Sequence, residues 1–231
     1  MHGMQIRMSR RSGTRTCAGI AVLAMALPVL AGCATDGKVK AAPVSDQPSV
    51  STGPSVARLG DGREGFIITE VPTMDNASRR DFDRAVAMLK DQDYDKAINL
   101  LEKVIERSPG VTAPYIDIAI AYVRVGKPAQ AEEHFKTALM LFPEHPVASN
   151  EYGFLCRKTG RFAEARAIYE RAIARFPEYY PLHRNLGILC DLYLNDPACA
   201  FEHYEIYSNA RPEDAQVKLW IADFRDRLGR N

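Results

Sequence analysis

A motif that recurs at a fixed distance constrains the fold of this chain more than any other feature of its sequence. Three alanines recur at a constant interval, and so do three prolines: Ala97, Ala131 and Ala165, then Pro109, Pro143 and Pro177. A fourth copy, displaced by one residue, carries Ala200 and Pro212. The interval is about 34 residues, and similarity at a period of about 20 to 50 residues indicates stacked repeats, because each unit buries its apolar face against its neighbours.

Each copy has the composition of two helices that cross closely. Small residues recur in the first half of the copies, where they let antiparallel helices approach: Ala85, Ala119, Gly153 and Gly187. Aromatic residues of the second half fill the space beside them: Phe135, Tyr169 and Tyr204. Gly126 and Gly160 are predicted to end first helices in the left-handed conformation. Pro128 and Pro197 are predicted to open second helices, with Asp196 as an N-cap.

The period and the residue pattern of these copies resemble those of the tetratricopeptide repeat over residues 78–214. The resemblance implies an all-α fold, an α-solenoid of about four helix-turn-helix repeats. The predicted repeat domain is 78–231, divided into 78–111, 112–145, 146–179, 180–214 and a cap at 215–229. The cap has one apolar helical face that would cover the open end of the array: Val217, Trp220, Ile221, Phe224 and Leu228.

The first helices of such an array line a concave groove. Projection of the helices places two sets of residues there. The first is the set that we expect to bind a peptide: Ile120, Arg124, Asn150, Phe154, Arg157, Arg184, Asn185 and Ile188. The second flanks it: Phe82, Val86, Lys90, Ile116, Val123 and Lys158. The groove is therefore expected to be apolar at one end and rich in arginine and asparagine at the other. The alternative is that Asn150 and Arg184 are solvated surface and another face packs against partners.

The cysteines and histidines leave two alternatives open. Cys156 and Cys190 are predicted to be buried as small apolar residues. Cys190 and Cys199 flank one turn between helices, so a disulfide is possible in an oxidising compartment. Cys199, His203 and Cys190 would be three ligands for a soft metal, but their spacing matches no known zinc pattern. His134, His145 and His183 lie at different repeat positions and are not expected to converge, and no metal or cofactor is predicted.

The amino terminus has the organisation of an export signal. Residues 1–16 carry four arginines and no acid, and residues 18–31 are apolar but too short to span a bilayer. The next stretch, Leu30 to Cys33, resembles the lipobox of bacterial lipoproteins. The resemblance implies removal of residues 1–32 and attachment of diacylglycerol and a further acyl chain, such as palmitate, at Cys33. An ordinary signal peptide with a chance cysteine, or an uncleaved anchor, is the alternative.

Residues 33–77 are predicted to be a flexible linker behind the lipidated cysteine, because proline, serine and glycine are frequent and no apolar period is present. About 44 residues of such a linker would then separate Cys33 from the first helix. Within this range, Gly65 to Val71 has the composition of a strand, but we find no partner strand for it elsewhere in the sequence.

Composition and motifs together favour a binding protein. Without the four arginines of the signal, 26 basic residues face 29 acidic ones, which is too balanced for a nucleic-acid binder. No phosphate loop, nucleophile elbow or other catalytic constellation is present, so we expect no enzyme. Ala34 after the lipidated cysteine favours the outer membrane by resemblance, with the repeats facing the periplasm. The sequence thus predicts a lipid-anchored adaptor for envelope proteins that serve pilus or secretion, cell-wall or TonB-type machinery. A metal-dependent enzyme and a self-associating structural spacer are the alternatives.

Overall fold

The computed structural model describes residues 55–58, 66–70 and 73–227, all within the compact unit formed by residues 49–231. The signal, Cys33 and Leu228 therefore lie outside the described residues, and the predictions for them stay predictions. The described elements are two short strands followed by nine helices. None of these helices combines the length and the apolar character that crossing a bilayer requires.

Eight helices form four antiparallel pairs, as the repeat predicts. The first helices are α1 (Asn76–Lys90), α3 (Thr112–Arg124), α5 (Pro146–Lys158) and α7 (Tyr180–Leu192). The second helices are α2 (Tyr94–Arg107), α4 (Pro128–Leu141), α6 (Phe162–Arg175) and α8 (Pro197–Ala210). The cap, α9 (Ala215–Arg227), packs on α8 and buries Val217, Ile221 and Phe224. The predicted all-α solenoid is confirmed, and its first helix begins two residues before the predicted boundary.

The residues predicted to set the packing and the ends of the helices have those roles in the structure. A side chain at Gly153 would place its Cβ 2.3 Å from Cε1 of Tyr169, and one at Gly187 would lie 2.6 Å from the ring of Tyr204. Gly126 and Gly160 have φ of 75° and 77°, which confirms the left-handed helix ends. Pro128 and Pro197 open α4 and α8, and Asp196 caps α8 through the amide of Cys199.

A two-stranded hairpin precedes the helices and corrects the sequence-based interpretation of residues 33–77. Strand β1 (Ser55–Arg58) pairs antiparallel with β2 (Phe66–Thr69), so the prediction that the second segment has no partner strand is wrong. Along β2 the side chains alternate between partly buried and exposed, which is the pattern of a strand with one covered face. Part of the predicted linker is therefore ordered structure.

The hairpin and Glu70 contact residues at the start of three first helices. Val111, His145 and Tyr179 are each separated by one repeat length, and they immediately precede α3, α5 and α7. The Phe66 ring lies 4.7 Å from that of Tyr179, between centroids. Glu70 accepts a hydrogen bond from the Thr112 amide at 3.3 Å, and its other oxygen lies 3.8 Å from Nε2 of His145. Residues 66–70 thus cross the amino-terminal ends of three first helices.

Candidate functional site

The first helices line the inner face of the array. Contacts join α1 to α3, α3 to α5 and α5 to α7, whereas the second helices of neighbouring described repeats make no comparable contact. The first helices therefore approach one another more closely, and their shared surface is the concave one. Because each repeat places the same position at the same height, residues one repeat length apart form rows along this surface.

Three rows define the chemistry of the groove. An apolar row consists of Ile120, Phe154 and Ile188. A second row changes from apolar to polar along the array, through Ile116, Asn150 and Arg184. A third row consists of Asp117, Glu151 and Asn185. One side of the groove can therefore cover apolar side chains, while the other offers hydrogen bonds and charges.

Two adjoining cavities open along these rows. The larger, about 350 Å³, is lined by Arg124, Asn150, Glu151, Phe154, Pro181, Arg184, Asn185, Tyr207 and Arg211. The smaller, about 200 Å³, is lined by Ile120, Val123, Arg124, Glu151, Phe154 and Lys158. Arg124, Glu151 and Phe154 belong to both, so the two cavities form one continuous depression across the second, third and fourth repeats.

A chain of hydrogen bonds links neighbouring repeats at the floor of the larger cavity. Nδ2 of Asn185 donates to Oδ1 of Asn150 at 2.8 Å, and Nδ2 of Asn150 donates to Oε1 of Glu151 at 2.9 Å. Nη1 of Arg157 donates to the carbonyl of Asn185 at 3.5 Å, and its guanidinium lies 5.3 Å from the Phe154 ring centre. These contacts hold the amides in fixed positions across the α5–α7 junction.

Arginines surround this amide pair. Nε of Arg184 is buried and has no hydrogen-bond partner within the described structure; Oδ2 of Asp214 is 4.0 Å from it. The Arg184 guanidinium lies 5.6 Å from the Trp220 ring centre, so the cap helix supports it. Arg211 is 2.6 Å from Glu213, and Arg124 acts on Glu151 by charge. The larger cavity thus has guanidinium groups on several sides.

Two carboxyl groups in the groove were not predicted. Burial raises the pKa of Glu151, against the effects of the Asn150 hydrogen bond and the Arg124 charge. Burial also raises the pKa of Asp117, to about 6, and no hydrogen bond or opposite charge from the described residues offsets it. The available signal was their register, since each lies one repeat length from a neighbour in the row of Asn185. The groove is therefore not simply apolar at one end and basic at the other.

The predicted groove residues occupy the following positions. Six of the eight line the two cavities: Ile120, Arg124, Asn150, Phe154, Arg184 and Asn185. Arg157 lies behind this lining, where it contacts Asn185 and Phe154. Ile188 is partly buried against the core. Whether this surface binds a peptide stays a prediction.

The cysteines and histidines are arranged differently from the proposed metal trio. Cys190 and Cys199 form a disulfide across the α7–α8 turn, with Cα atoms 5.9 Å apart, so their thiolates are not available to a metal. His203 instead faces His183, with their Nδ1 atoms 3.0 Å apart, a pairing that the sequence did not predict. Cys156 is buried and free, as predicted, and burial raises the pKa of its thiol to about 12.

Comparisons with known proteins agree with this architecture. Residues 116–180 and 88–134 match two families described as tetratricopeptide repeat. The fold is similar to PilF of Pseudomonas aeruginosa, with a TM-score of 0.62 and 23% identity over 67% of this chain and 70% of that one. It is similar to PilW, described as a widely conserved type IV pilus biogenesis factor, with a TM-score of 0.59 and 24% identity over 68% and 72%. It is also similar to MamA from Desulfovibrio magneticus RS-1, with a TM-score of 0.57 and 18% identity over 68% of this chain and 89% of that one. Identities this low show a shared fold alone, and no curated protein sequence matches the chain.

Proposed function

We propose that the concave groove formed by these tetratricopeptide repeats binds an extended segment of another protein. Such arrays typically serve as interaction scaffolds without catalytic activity. The observation that carries the proposal is the pair of adjoining cavities, because apolar, amide and guanidinium groups converge there on one open depression. A depression of this composition suits a peptide better than a small apolar ligand, whose pocket would be mostly apolar.

Each row of the groove supplies one kind of contact. The Asn150–Asn185 pair can hydrogen-bond a peptide backbone, because an amide side chain both donates and accepts. The guanidinium of Arg184 can bind a carboxylate in two-point fashion, either from an acidic side chain or from a chain terminus. The row of Ile120, Phe154 and Ile188 can cover apolar side chains of the same segment. The segment expected to bind therefore combines apolar residues with at least one carboxylate.

We further propose that this groove operates in the periplasm, as part of a lipoprotein held in the outer membrane through Cys33. The support is the lipobox-like sequence, together with the Cys190–Cys199 disulfide, which is typical of proteins in oxidising compartments. The protein would then act as an adaptor that recruits or assembles an envelope complex. Type IV pilus assembly is one candidate, since PilW is described as a biogenesis factor for that pilus. Cell-wall and TonB-type machinery are the others.

Pull-down from solubilised envelope, with and without cross-linking, tests the groove. The Asn150→Ala/Arg184→Ala/Asn185→Ala variant removes the amide pair and one guanidinium while leaving the apolar row intact. We expect it to lose the partners that the unchanged protein retains, because the lost contacts are those that orient the segment.

The matched control carries three alanines on exposed positions outside the groove: Lys103→Ala, Glu106→Ala and Glu178→Ala. It should retain the same partners. Unchanged partner recovery by the groove variant, with normal helical content by circular dichroism, would exclude peptide binding at this site.

A further inference from the structure

A pair of histidines lies away from the groove, between the two helices of the fourth repeat. His183 is on α7 and His203 is on α8, and their Nδ1 atoms are 3.0 Å apart. His183 is almost fully buried, while His203 is partly exposed, so one side of the pair can be reached from solvent. Neither histidine lines the two cavities of the groove.

The protonation of His183 is set by its second nitrogen. Nε2 of His183 lies 3.0 Å from the carbonyl of Pro177, which can only accept, so Nε2 carries the hydrogen and Nδ1 of the neutral ring carries a lone pair. This is the arrangement of a metal-binding histidine, whose other ring nitrogen usually donates to a carbonyl or carboxylate. Burial and, secondarily, the neighbouring imidazole lower the pKa of His183, and burial lowers that of His203. Both rings are therefore neutral at neutral pH.

The separation of the two nitrogens lets one metal ion reach both. With metal–nitrogen bonds of about 2.0–2.1 Å, nitrogens 3.0 Å apart subtend an angle of about 91–97° at the metal. Imidazole nitrogen suits several divalent metals of the first transition row, and Cu²⁺ binds a given nitrogen site most tightly among them.

We infer that His183 and His203 form a two-histidine site for a divalent transition metal, with Cu²⁺ preferred. The ligands are the two Nδ1 atoms: that of His183 already carries a lone pair, and His203 moves its hydrogen from Nδ1, where it is donated to His183, to Nε2 when the metal binds. Glu202 and Glu170 are the carboxylates whose charges act on His203, and the charge of Arg166 opposes them, although Arg166 is paired with Glu170 at 2.7 Å. The cysteines nearby are joined in the disulfide and take no part.

Occupancy of this site would fasten α7 to α8. Because the two ligands come from different helices, a metal that binds only the folded state stabilises their packing by mass action. The fourth repeat also carries Arg184 and Asn185 on its first helix, so the metal would steady one end of the groove. The inference stands independently of whether the groove binds a peptide.

Titration of the full chain with Cu²⁺ alone at pH 7.5, followed by calorimetry and electron paramagnetic resonance, tests the inference. We expect one Cu²⁺ per chain at this site, a spectrum with nitrogen coupling, and a rise in the thermal unfolding midpoint. Two variants probe His203: His203→Ala removes the ligand, and His203→Asn removes it while keeping a donor that can hydrogen-bond Nδ1 of His183. Both should weaken Cu²⁺ binding at this site at least about tenfold.

The matched control is His134→Ala, a partly buried histidine that stacks on Tyr122 in another repeat, with ring centroids 5.5 Å apart. It should bind Cu²⁺ like the unchanged chain, and any binding at the amino terminus is common to all variants and is subtracted. Ni²⁺ and Zn²⁺ should repeat the pattern with weaker binding than Cu²⁺. Equal Cu²⁺ affinity in the unchanged chain and both His203 variants would overturn the inference. So would an absence of binding, which would leave the pair as a hydrogen bond only.

Discussion

At the scale of single residues, Asp117 stands out because its surroundings work against its charge. It lies on the groove face of α3, and burial raises its pKa to about 6 without any compensating partner among the described residues. In the unfolded chain this carboxyl has the ordinary pKa of 3.8, so it loses its proton at a lower pH there than in the folded protein. Ionisation of Asp117 therefore lowers the free energy of unfolding, and this loss grows as the pH rises from about 4 through 6.

Replacing this carboxyl by an amide of the same shape should therefore stabilise the protein. For Asp117→Asn we expect the free energy of unfolding at pH 7.5 to rise by about 3 kcal/mol, because the pKa is raised from 3.8 to about 6 and each unit corresponds to about 1.4 kcal/mol. The gain should fade as the pH falls and vanish below about pH 4, where the carboxyl is protonated in both states. Urea unfolding at several pH values measures it. A gain that does not change with pH would show that the charge is not its cause.

The role of a single residue could be predicted from the sequence where it depends on close packing alone, but not where it depends on contacts between polar side chains. Gly153 was assigned to a helix crossing because small residues recur at its position, and the Tyr169 ring indeed leaves no space for a Cβ there. Glu151 was overlooked, although its register places it beside Asn150. A helical projection gives the direction of a side chain, but it does not show that amides of two repeats will meet and draw a carboxylate into their hydrogen-bond chain.

At the scale of elements, the segment that ends the hairpin caps the amino terminus of α3. Val111 precedes α3 and has no side chain that can cap it, so the first amide of that helix needs an outside acceptor. Glu70 is this acceptor, because its carboxylate accepts a hydrogen bond from the Thr112 amide. Its negative charge is also favourable at the amino terminus of a helix. Burial lowers the pKa of His145 to about 4, so this neighbour of Glu70 is neutral at neutral pH.

Removing this acceptor should loosen the hairpin and fray α3. For Glu70→Ala we expect a loss of about 1 kcal/mol in the free energy of unfolding, as for other helix caps, and faster hydrogen exchange at the Thr112 amide. Thr69→Ala is the matched control, because Thr69 is the preceding residue and its side chain is exposed. If both variants unfold at the same urea concentration and Thr112 exchanges equally in both, Glu70 does not cap α3.

The helices could be predicted, whereas the hairpin could not. Each helix pair is specified several times over, by a small residue, an aromatic residue, a proline and the period itself. The strands are only four residues long, and β1 lies in a stretch rich in serine, proline and glycine that is typical of linkers. Their pairing depends on support from Tyr179, His145 and Thr112, which are more than forty residues further along the chain. Sequence periodicity carries no information about contacts of that kind.

At the scale of the whole molecule, the hairpin changes the predicted relation between anchor and scaffold. Because β1 begins at Ser55, only residues 34–54 separate it from Cys33, which is half of the predicted tether. At about 3.3–3.6 Å per residue they reach at most about 70–75 Å, which is about half of what 44 residues would span. The chain also enters the array beside α3, α5 and α7, since these are the helix ends that residues 66–70 contact.

Cys33→Ser should release the protein from the membrane. Several acyl chains at about 0.8 kcal/mol per buried methylene give a stable anchor, which the variant would lack. Fractionation should move the variant from the membrane pellet to the soluble fraction, and labelled palmitate should no longer be incorporated. Cys156→Ser is the matched control, since that thiol is buried in the repeats, and it should stay in the pellet and keep the label. A Cys33→Ser protein that remains membrane-bound without label, although residues 1–32 have been removed, would show that the lipid is not what holds the chain at the membrane.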